Sequence, residues 1–236
     1  MAAMTTAQRS ARAIVALDAP DLARALAVVD GLGTSCDFYK VGSELFTIAG
    51  PGAVTALRER ALDVFLDLKF HDIPNTVRGA TRSASALGAR LVTVHASGGA
   101  DMIAAAVEGA GASCRVLAVT VLTSLDAAGL ARSWGRDVTA VDEEVLRLAE
   151  LARASGAHGI VCSAREAAAV RAEHGAALDV LVPGIRLDGS SADDQARIGT
   201  PREAVAAGAT YLVLGRAVTG AADPRGVMRR VKEMLG

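Results

Sequence analysis

Three ionisable side chains with a D-x-K-x-x-D spacing, Asp67, Lys69 and Asp72, could carry out proton chemistry. Strand residues two positions apart point to the same side, so Asp67 and Lys69 are expected to share one environment. Lys40 follows another apolar run and can reach the same cluster. Opposite charges about 4 Å apart attract by roughly 4 kcal/mol at an effective dielectric near 20. Such a network would hold Lys69 as an oriented ammonium, as a proton donor requires. The alternative is a purely structural ion-pair network at a strand end.

A second set of residues could bind an anion. Pro183-Gly184-Ile185-Arg186 and Gly215-Arg216-Ala217-Val218 each follow an apolar strand-like run and join glycine to arginine. Glycine lets a ligand approach the backbone closely, and the arginine fork matches phosphate oxygens. Gln195 lies between these segments and could add a neutral donor. A phosphate site is therefore predicted, with ordinary turns as the alternative.

Five further polar side chains are weaker candidates, and each has a structural alternative. Asp18 and Thr76 could bind ribose hydroxyls, but their types also suit a turn and a first helical turn. Thr123 and Ser124 could pair with the amide edge of a base or cap a loop. His95 could contact a ligand or be a hydrogen-bonded core histidine, and the second interpretation is preferred.

The elements that must position these residues alternate regularly along the chain. Short runs rich in branched aliphatic residues predict eight strands, at residues 13–17, 38–41, 64–68, 91–94, 116–121, 159–161, 180–182 and 211–214. Stretches rich in Ala and Leu predict the intervening helices, at residues 21–30, 53–60, 77–87, 102–109, 143–154, 165–174, 202–207 and 226–235.

Eight such repeats without a linker predict an α/β fold of the (β/α)8 TIM-barrel type, with an open doubly wound sheet as the alternative. Residues 1–236 would form one domain, with 1–11 as a flexible N-terminal segment. The candidates above then lie at the C-terminal ends of strands, where barrel enzymes carry out their chemistry. Longer loops are expected at residues 42–52, 122–142 and 183–200.

Composition excludes several classes of function. The chain has 25 basic and 26 acidic residues, so no nucleic-acid or membrane surface is indicated. Three dispersed cysteines and four histidines without ligand spacing predict neither a disulfide framework nor a metal site. The N-terminal residues lack the apolar stretch of a signal peptide, and a cytoplasmic protein is expected.

The run Asp67-Leu68-Lys69-Phe70-His71-Asp72-Ile73-Pro74-Asn75-Thr76 resembles the active-site motif of bacterial-type orotidine 5'-monophosphate decarboxylases. The resemblance continues in order along nearly the whole chain, at residues 17–18, 38–42, 94–99, 120–124, 183–186, 193–195 and 215–216. It implies a cofactor-free lyase that converts orotidine monophosphate to uridine monophosphate in pyrimidine biosynthesis.

The resemblance also implies a role for each candidate. Lys69 would protonate C6, Asp67 would lie against the departing carboxylate, and Lys40 and Asp72 would complete the charge network. Asp72 and Thr76 would reach the site of a neighbouring subunit, which makes the enzyme a homodimer. The remaining matches are Asp18 and Thr76 for ribose, Thr123 for the pyrimidine, and Arg186, Gln195, Gly215 and Arg216 for phosphate.

Two rival functions remain open on the sequence. A magnesium-dependent decarboxylase of the keto-gulonate-phosphate type is similar in sharing the D-x-K-x-x-D run. A barrel that binds a nucleotide without catalysis is the alternative from another class.

Overall fold

Aliphatic runs form eight parallel strands that close into a barrel, with β8 paired to β1. The computed structural model describes residues 11–187 and 199–236. The strands are β1 Arg12–Ala16, β2 Phe38–Gly42, β3 Asp63–Phe70, β4 Leu91–His95, β5 Arg115–Val119, β6 Gly159–Val161, β7 Asp179–Ile185 and β8 Tyr211–Leu214. The prediction of a closed (β/α)8 barrel is confirmed, and the open sheet is excluded.

The fifth strand is shorter than predicted. The apolar run 116–121 contains no signal for an end, yet β5 stops at Val119. Its neighbour β6 has only three residues, and the pairing ends where Val119 meets Val161. The chain beyond is then free to turn over the barrel mouth.

Two apolar cores result from the alternation of side chains along each strand. One fills the barrel and consists of Ile14, Ala16, Phe38, Phe65, Leu91, Leu117, Val119, Val161, Leu181, Tyr211 and Val213. The other lies between the strands and the surrounding helices. Because the interior is packed with side chains, the mouth of the barrel has a closed apolar floor.

Eleven helices cover the barrel within the described residues: α1 Leu22–Leu32, α2 Ser43–Ala49, α3 Gly52–Arg58, α4 Pro74–Ala86, α5 Ala100–Ala110, α6 Ala127–Trp134, α7 Val141–Ala154, α8 Ala164–His174, α9 Pro201–Ala206, α10 Arg216–Thr219 and α11 Pro224–Leu235. Eight of them match predicted helices. The other three, α2, α6 and α10, correct segments that were expected to be loops or strand ends. In the part of the chain that the structure describes, no helix has both the length and the apolar character needed to cross a membrane.

Partly buried ion pairs lie at the N-terminal end of the barrel. Arg12 Nη1 lies 2.9 Å from Asp63 Oδ2, and Arg115 Nη2 lies 2.7 Å from Asp179 Oδ2. His158 Nδ1 accepts a hydrogen bond of 3.0 Å from the backbone N–H of Val116. The two ion pairs each span one intervening strand, joining β1 to β3 and β5 to β7, at the end opposite the candidate residues.

Candidate active site

A cavity of about 330 Å³ opens at the C-terminal end of the barrel. Its apolar floor consists of Ala16, Phe65, Val119, Val161, Leu181 and Val213, and its charged wall of Asp18, Lys40, Asp67 and Lys69. The remaining wall is formed by residues after β5, at the end of β7 and after β8, namely Val121, Leu122, Thr123, Pro183, Gly184, Arg186, Gly215 and Arg216. The strand ends therefore bring most of the predicted site residues into one cavity.

Four charged side chains form a row in which the signs alternate. Lys40 Nζ lies 2.9 Å from Asp18 Oδ1 and 3.8 Å from Asp67 Oδ2. Lys69 Nζ lies 2.8 Å from Asp67 Oδ1. The Lys40 and Asp67 side chains are each 12% exposed, whereas Asp18 and Lys69 are 57% and 37% exposed. The enclosed middle of the row fixes the positions of its two more exposed ends.

The side chains of Asp67 and Lys69 are in contact, but the regular alternation of side chains along a strand does not account for this contact. Leu66 pairs with Val92 and Phe70 with Val94, so three residues of β3 lie opposite one residue of β4. Within this bulge Lys69 has φ +51°, in the left-handed region that residues with a Cβ rarely adopt. Such a conformation costs about 1–3 kcal/mol and persists only where the surroundings hold it.

Thr93 is the residue opposite the bulge, and no sequence motif singles it out. Its hydroxyl oxygen accepts a hydrogen bond of 3.0 Å from the Lys69 backbone N–H. The same hydroxyl donates to Asp67 Oδ1 at 2.9 Å. Thr93 is only 1% exposed, and in an apolar strand it has the appearance of an ordinary β-branched core residue.

The predicted phosphate residues that the structure describes line the same cavity, at the ends of β7 and β8. Arg186 is 9% exposed, and its backbone N–H donates to the carbonyl of Gly199 at 3.0 Å. Gly184 has φ +70°, a conformation suited to glycine. Gly215 is the N-cap of α10, the short helix that begins at Arg216. Barrel enzymes often bind phosphate with the loops after strands 7 and 8 and such a helix. Gln195, the remaining phosphate candidate, lies outside the described residues.

Two of the motif residues do not join the charged row of their own chain. The Asp72 carboxylate is exposed and accepts a hydrogen bond of 2.6 Å from the next backbone N–H, that of Ile73. Thr76 is exposed in the first turn of α4. Neither is among the described residues that line the cavity. Asp72 and Thr76 therefore do not take part in the site of their own chain, and their expected role in the site of a neighbouring subunit stays a prediction.

The two remaining polar candidates differ in position. Ser124 is exposed and does not line the cavity, unlike Thr123. His95 is half-buried beside the cavity, with its ring centroid 5.3 Å from that of His71. Burial lowers the pKa of His95, and the neighbouring His71 and Lys69 lower it further. A neutral imidazole next to the row is favoured.

The segment after β5 contains helix α6 and is fastened to α7 by one carboxylate. Glu144 lies 2.5 Å from Arg136 Nη2 and 2.8 Å from Arg147 Nε. Burial alone would raise the pKa of Glu144, but hydrogen bonds from both arginines lower it overall. The Arg136 guanidinium lies 5.0 Å from the centroid of the Trp134 ring, at the end of α6. These contacts anchor the end of the segment that is farther from β5. Thr123, at the end nearer to β5, lines the cavity.

Within residues 11–187 and 199–236, no group of three or more His, Cys, Asp or Glu side chains is arranged to hold a metal ion. The two carboxylates of the charged wall instead contact the ammonium groups of Lys40 and Lys69.

Comparison with known proteins gives matches over nearly the whole chain. The family model described as "Orotidine 5'-phosphate decarboxylase / HUMPS family" matches residues 11–231. The chain is 51% identical over 226 residues to the orotidine 5'-phosphate decarboxylase of Anaeromyxobacter sp. (strain K), covering 94% of this chain and 97% of the relative. It is 52% identical over 227 residues to the protein of the same name from Alkalilimnicola ehrlichii, with 95% and 96% covered. The crystal structure of the Lactobacillus acidophilus orotidine 5'-phosphate decarboxylase has a TM-score of 0.85 at 35% identity, with 96% of this chain and 99% of that chain covered.

Proposed function

The chain belongs to the orotidine 5'-phosphate decarboxylase / HUMPS family, and from this premise we propose that it converts orotidine 5'-monophosphate to uridine 5'-monophosphate and carbon dioxide. This carboxy-lyase reaction is the last step of de novo pyrimidine biosynthesis. The observation that carries the proposal is the alternating row Asp18, Lys40, Asp67 and Lys69 at the ends of β1 to β3, in a cavity that also has two arginines at the ends of β7 and β8. A nucleoside monophosphate has its phosphate at one end and the reacting base at the other, which suits this division.

Lys69 is the proposed proton donor. Loss of carbon dioxide leaves carbanion character at C6 of the pyrimidine, and an ammonium placed there stabilises the charge and then donates a proton to it. Asp67 fixes the Lys69 ammonium at 2.8 Å. In the proposed complex Asp67 also lies against the substrate carboxylate, whose charge disperses as the bond breaks. The repulsion is therefore smaller in the transition state than in the ground state. Lys40 and Asp72 complete the proposed catalytic set.

The residues at the ends of β7 and β8 would supply binding energy away from the reacting atoms. Arg186, Gly215 and Arg216 are the proposed phosphate contacts, with Gln195 joining them from outside the described residues. Asp18 and Thr76 would contact the ribose, and Thr123 the pyrimidine. Binding energy from a remote phosphate can be used to order the reacting end of the substrate, which raises the rate as well as the affinity.

A homodimer is part of the proposal. Asp72 and Thr76 are exposed and turned away from the cavity of their own chain, and Ile73 between them is 67% exposed. We infer that this turn enters the site of a second copy. Mixed Lys69→Ala and Asp72→Asn chains provide the test, because one site of each hybrid dimer would be intact. About a quarter of wild-type activity should return on mixing equal amounts if Asp72 acts across the interface. No recovery would show that Asp72 does not act in this way.

Single-domain organisation over residues 1–236 and a cytoplasmic location belong to the same proposal. The helix–strand repeats continue through the described residues with both cores shared along the chain. The three cysteines are buried thiols, as suits a reducing compartment.

The test of the function is loss of the orotate chromophore on mixing the protein with orotidine monophosphate, with and without EDTA. Turnover that is insensitive to the chelator and abolished in Lys69→Ala is the expected result. Turnover that requires magnesium would instead favour the keto-gulonate-phosphate type of decarboxylase, and sugar phosphates would then be assayed. Tight binding of the nucleotide without turnover would point to a non-catalytic barrel.

A further inference from the structure

We propose that Thr93 is a positioning residue for the decarboxylation, acting through both Asp67 and Lys69. The inference rests on the proposed function, because those two residues are its proposed catalytic pair. Thr93 lies in the middle of β4, is 1% exposed and does not line the cavity. Its effect on the reaction therefore passes through the residues that it contacts.

The bulge in β3 creates the need for this hydroxyl. Between the pairs Leu66–Val92 and Phe70–Val94 the regular ladder between β3 and β4 is interrupted. The backbone N–H of Lys69 donates to Thr93 Oγ1 instead, at 3.0 Å. A buried N–H without an acceptor is costly, so this bond supports the left-handed conformation of Lys69.

The direction of the second hydrogen bond is fixed by the first. The Lys69 N–H can only donate, so Thr93 Oγ1 accepts there and keeps its single proton for another partner. That proton goes to Asp67 Oδ1 at 2.9 Å. Bonds linked in this way polarise one another, which strengthens both.

The outcome is a defined orientation of the Asp67 carboxylate. Its Oδ1 contacts Thr93 and the Lys69 ammonium, which leaves Oδ2 towards Lys40 at 3.8 Å. Rotation of the carboxylate would exchange these contacts and move the Lys69 ammonium. One hydroxyl thus sets both the backbone of the proton donor and the direction of its partner.

Because Thr93 is in β4, three and four strands away from the β7 and β8 ends that carry the proposed phosphate contacts, its loss is expected to affect turnover more than binding. Thr93→Val keeps the shape and removes the hydroxyl, while Thr93→Ser keeps the hydroxyl and removes a methyl. We expect kcat of Thr93→Val to fall about 10- to 100-fold with KM changed less than about threefold, as for loss of a hydrogen bond to a charged group. Thr93→Ser should retain kcat within about threefold of the wild type.

Thr210 provides a matched control at the other end of the barrel. Its hydroxyl oxygen also accepts from a strand N–H, that of Val180, and from a charged side chain, Arg171, each at 3.1 Å. Thr210→Val therefore removes a similar hydroxyl without touching the cavity. Its kcat per folded molecule should match the wild type even if its melting temperature falls.

The experiment measures kcat and KM for orotidine monophosphate, the affinity for uridine monophosphate and the melting temperature of all four proteins. Unchanged product affinity with a reduced kcat in Thr93→Val, and recovery in Thr93→Ser, would support the inference. A Thr93→Val kcat equal to that of the wild type, or a loss shared by Thr210→Val, would overturn it. If Thr93→Val does not fold, Thr93→Ala is subject to the same criteria. Absence of turnover by the wild type would overturn the proposed function and this inference together.

Discussion

Replacing Lys40 by methionine is expected to abolish most of the activity while leaving the fold intact. The Lys40 side chain is 12% exposed and lies between two carboxylates, with Nζ 2.9 Å from Asp18 Oδ1 and 3.8 Å from Asp67 Oδ2. Methionine keeps the apolar stem and removes the charge. The charged wall would then contain one ammonium group and two carboxylates, instead of two of each. An anionic substrate would then meet a site with net negative charge.

The expected loss of kcat/KM follows from the distances between Lys40 Nζ and the two carboxylates. Two unit charges about 4 Å apart interact by roughly 4 kcal/mol at an effective dielectric near 20. Because each 1.4 kcal/mol corresponds to about a factor of ten, kcat/KM should fall by up to about 10³-fold. Stability should change by only about 1 kcal/mol, because Asp67 retains Lys69 and Thr93 and the exposed Asp18 returns to water.

Steady-state kinetics and thermal unfolding of Lys40→Met, beside Arg115→Met, separate the two effects. Arg115 makes the ion pair with Asp179, which is 11% exposed, at the N-terminal end of the barrel. Removing it leaves a buried carboxylate without its cation, which costs about 3–5 kcal/mol of stability. The turnover of its folded fraction should remain close to that of the wild type. The reasoning is refuted if Lys40→Met keeps kcat/KM within tenfold of the wild type, or loses activity only by unfolding.

Two further predictions concern a glycine and a histidine. Gly42→Ala should lower kcat/KM about tenfold at nearly unchanged stability, since a Cβ there would lie 2.8 Å from Lys40 Nζ and would displace the end of that side chain from its place in the row. Gly52→Ala is the control, because an added Cβ there has nothing within 4 Å. Steady-state kinetics of the two variants test the prediction, and equal kcat/KM values would contradict it. Burial, followed by a nearby arginine, lowers the pKa of His158 below its usual 6.5, so the unfolded chain takes up the proton first as the pH falls. The contribution of neutral His158 to stability is thus fully present above about pH 6.5 and is lost as the pH falls through the lowered pKa of the folded state. His158→Asn keeps an acceptor for the Val116 N–H, and its melting temperature should fall less than that of the wild type between about pH 7 and about pH 5; equal slopes would exclude this role for His158.

The barrel could be predicted because its signals are local. Each strand is an aliphatic run short enough to be bounded by polar or glycine residues, and each major helix is long enough to show its pattern. The helices that were missed, α2, α6 and α10, contain seven, eight and four residues. Their length is not the only reason, because α3 and α9, with seven and six residues, were predicted. Each missed helix shares its connection with a second helix, whereas the regular alternation predicts one helix after each strand.

The charged wall could also be predicted, because charged residues at the ends of apolar strands need a partner. The sequence indicated Asp67, Lys69 and Lys40 in this way. It gave no indication of Thr93, because the role of that threonine depends on the register of β3 against β4 and on the bulge between them. Register is a tertiary property, and a threonine within an aliphatic strand has many structural explanations.

From the sequence alone, D-x-K-x-x-D suited a structural ion-pair network as well as a catalytic one, and the two ends of the barrel show the difference. At the N-terminal end Asp63 contacts the guanidinium groups of Arg12, Arg58 and Arg90, so the carboxylate is surrounded by cations. At the C-terminal end Lys69 is 37% exposed, and within the described residues its ammonium donates to Asp67. An ammonium has three donors, so this arrangement leaves donor capacity directed to the cavity. A network built only for stability has no need to hold its lysine in a left-handed conformation, whereas a proton donor must be held in place before the substrate arrives.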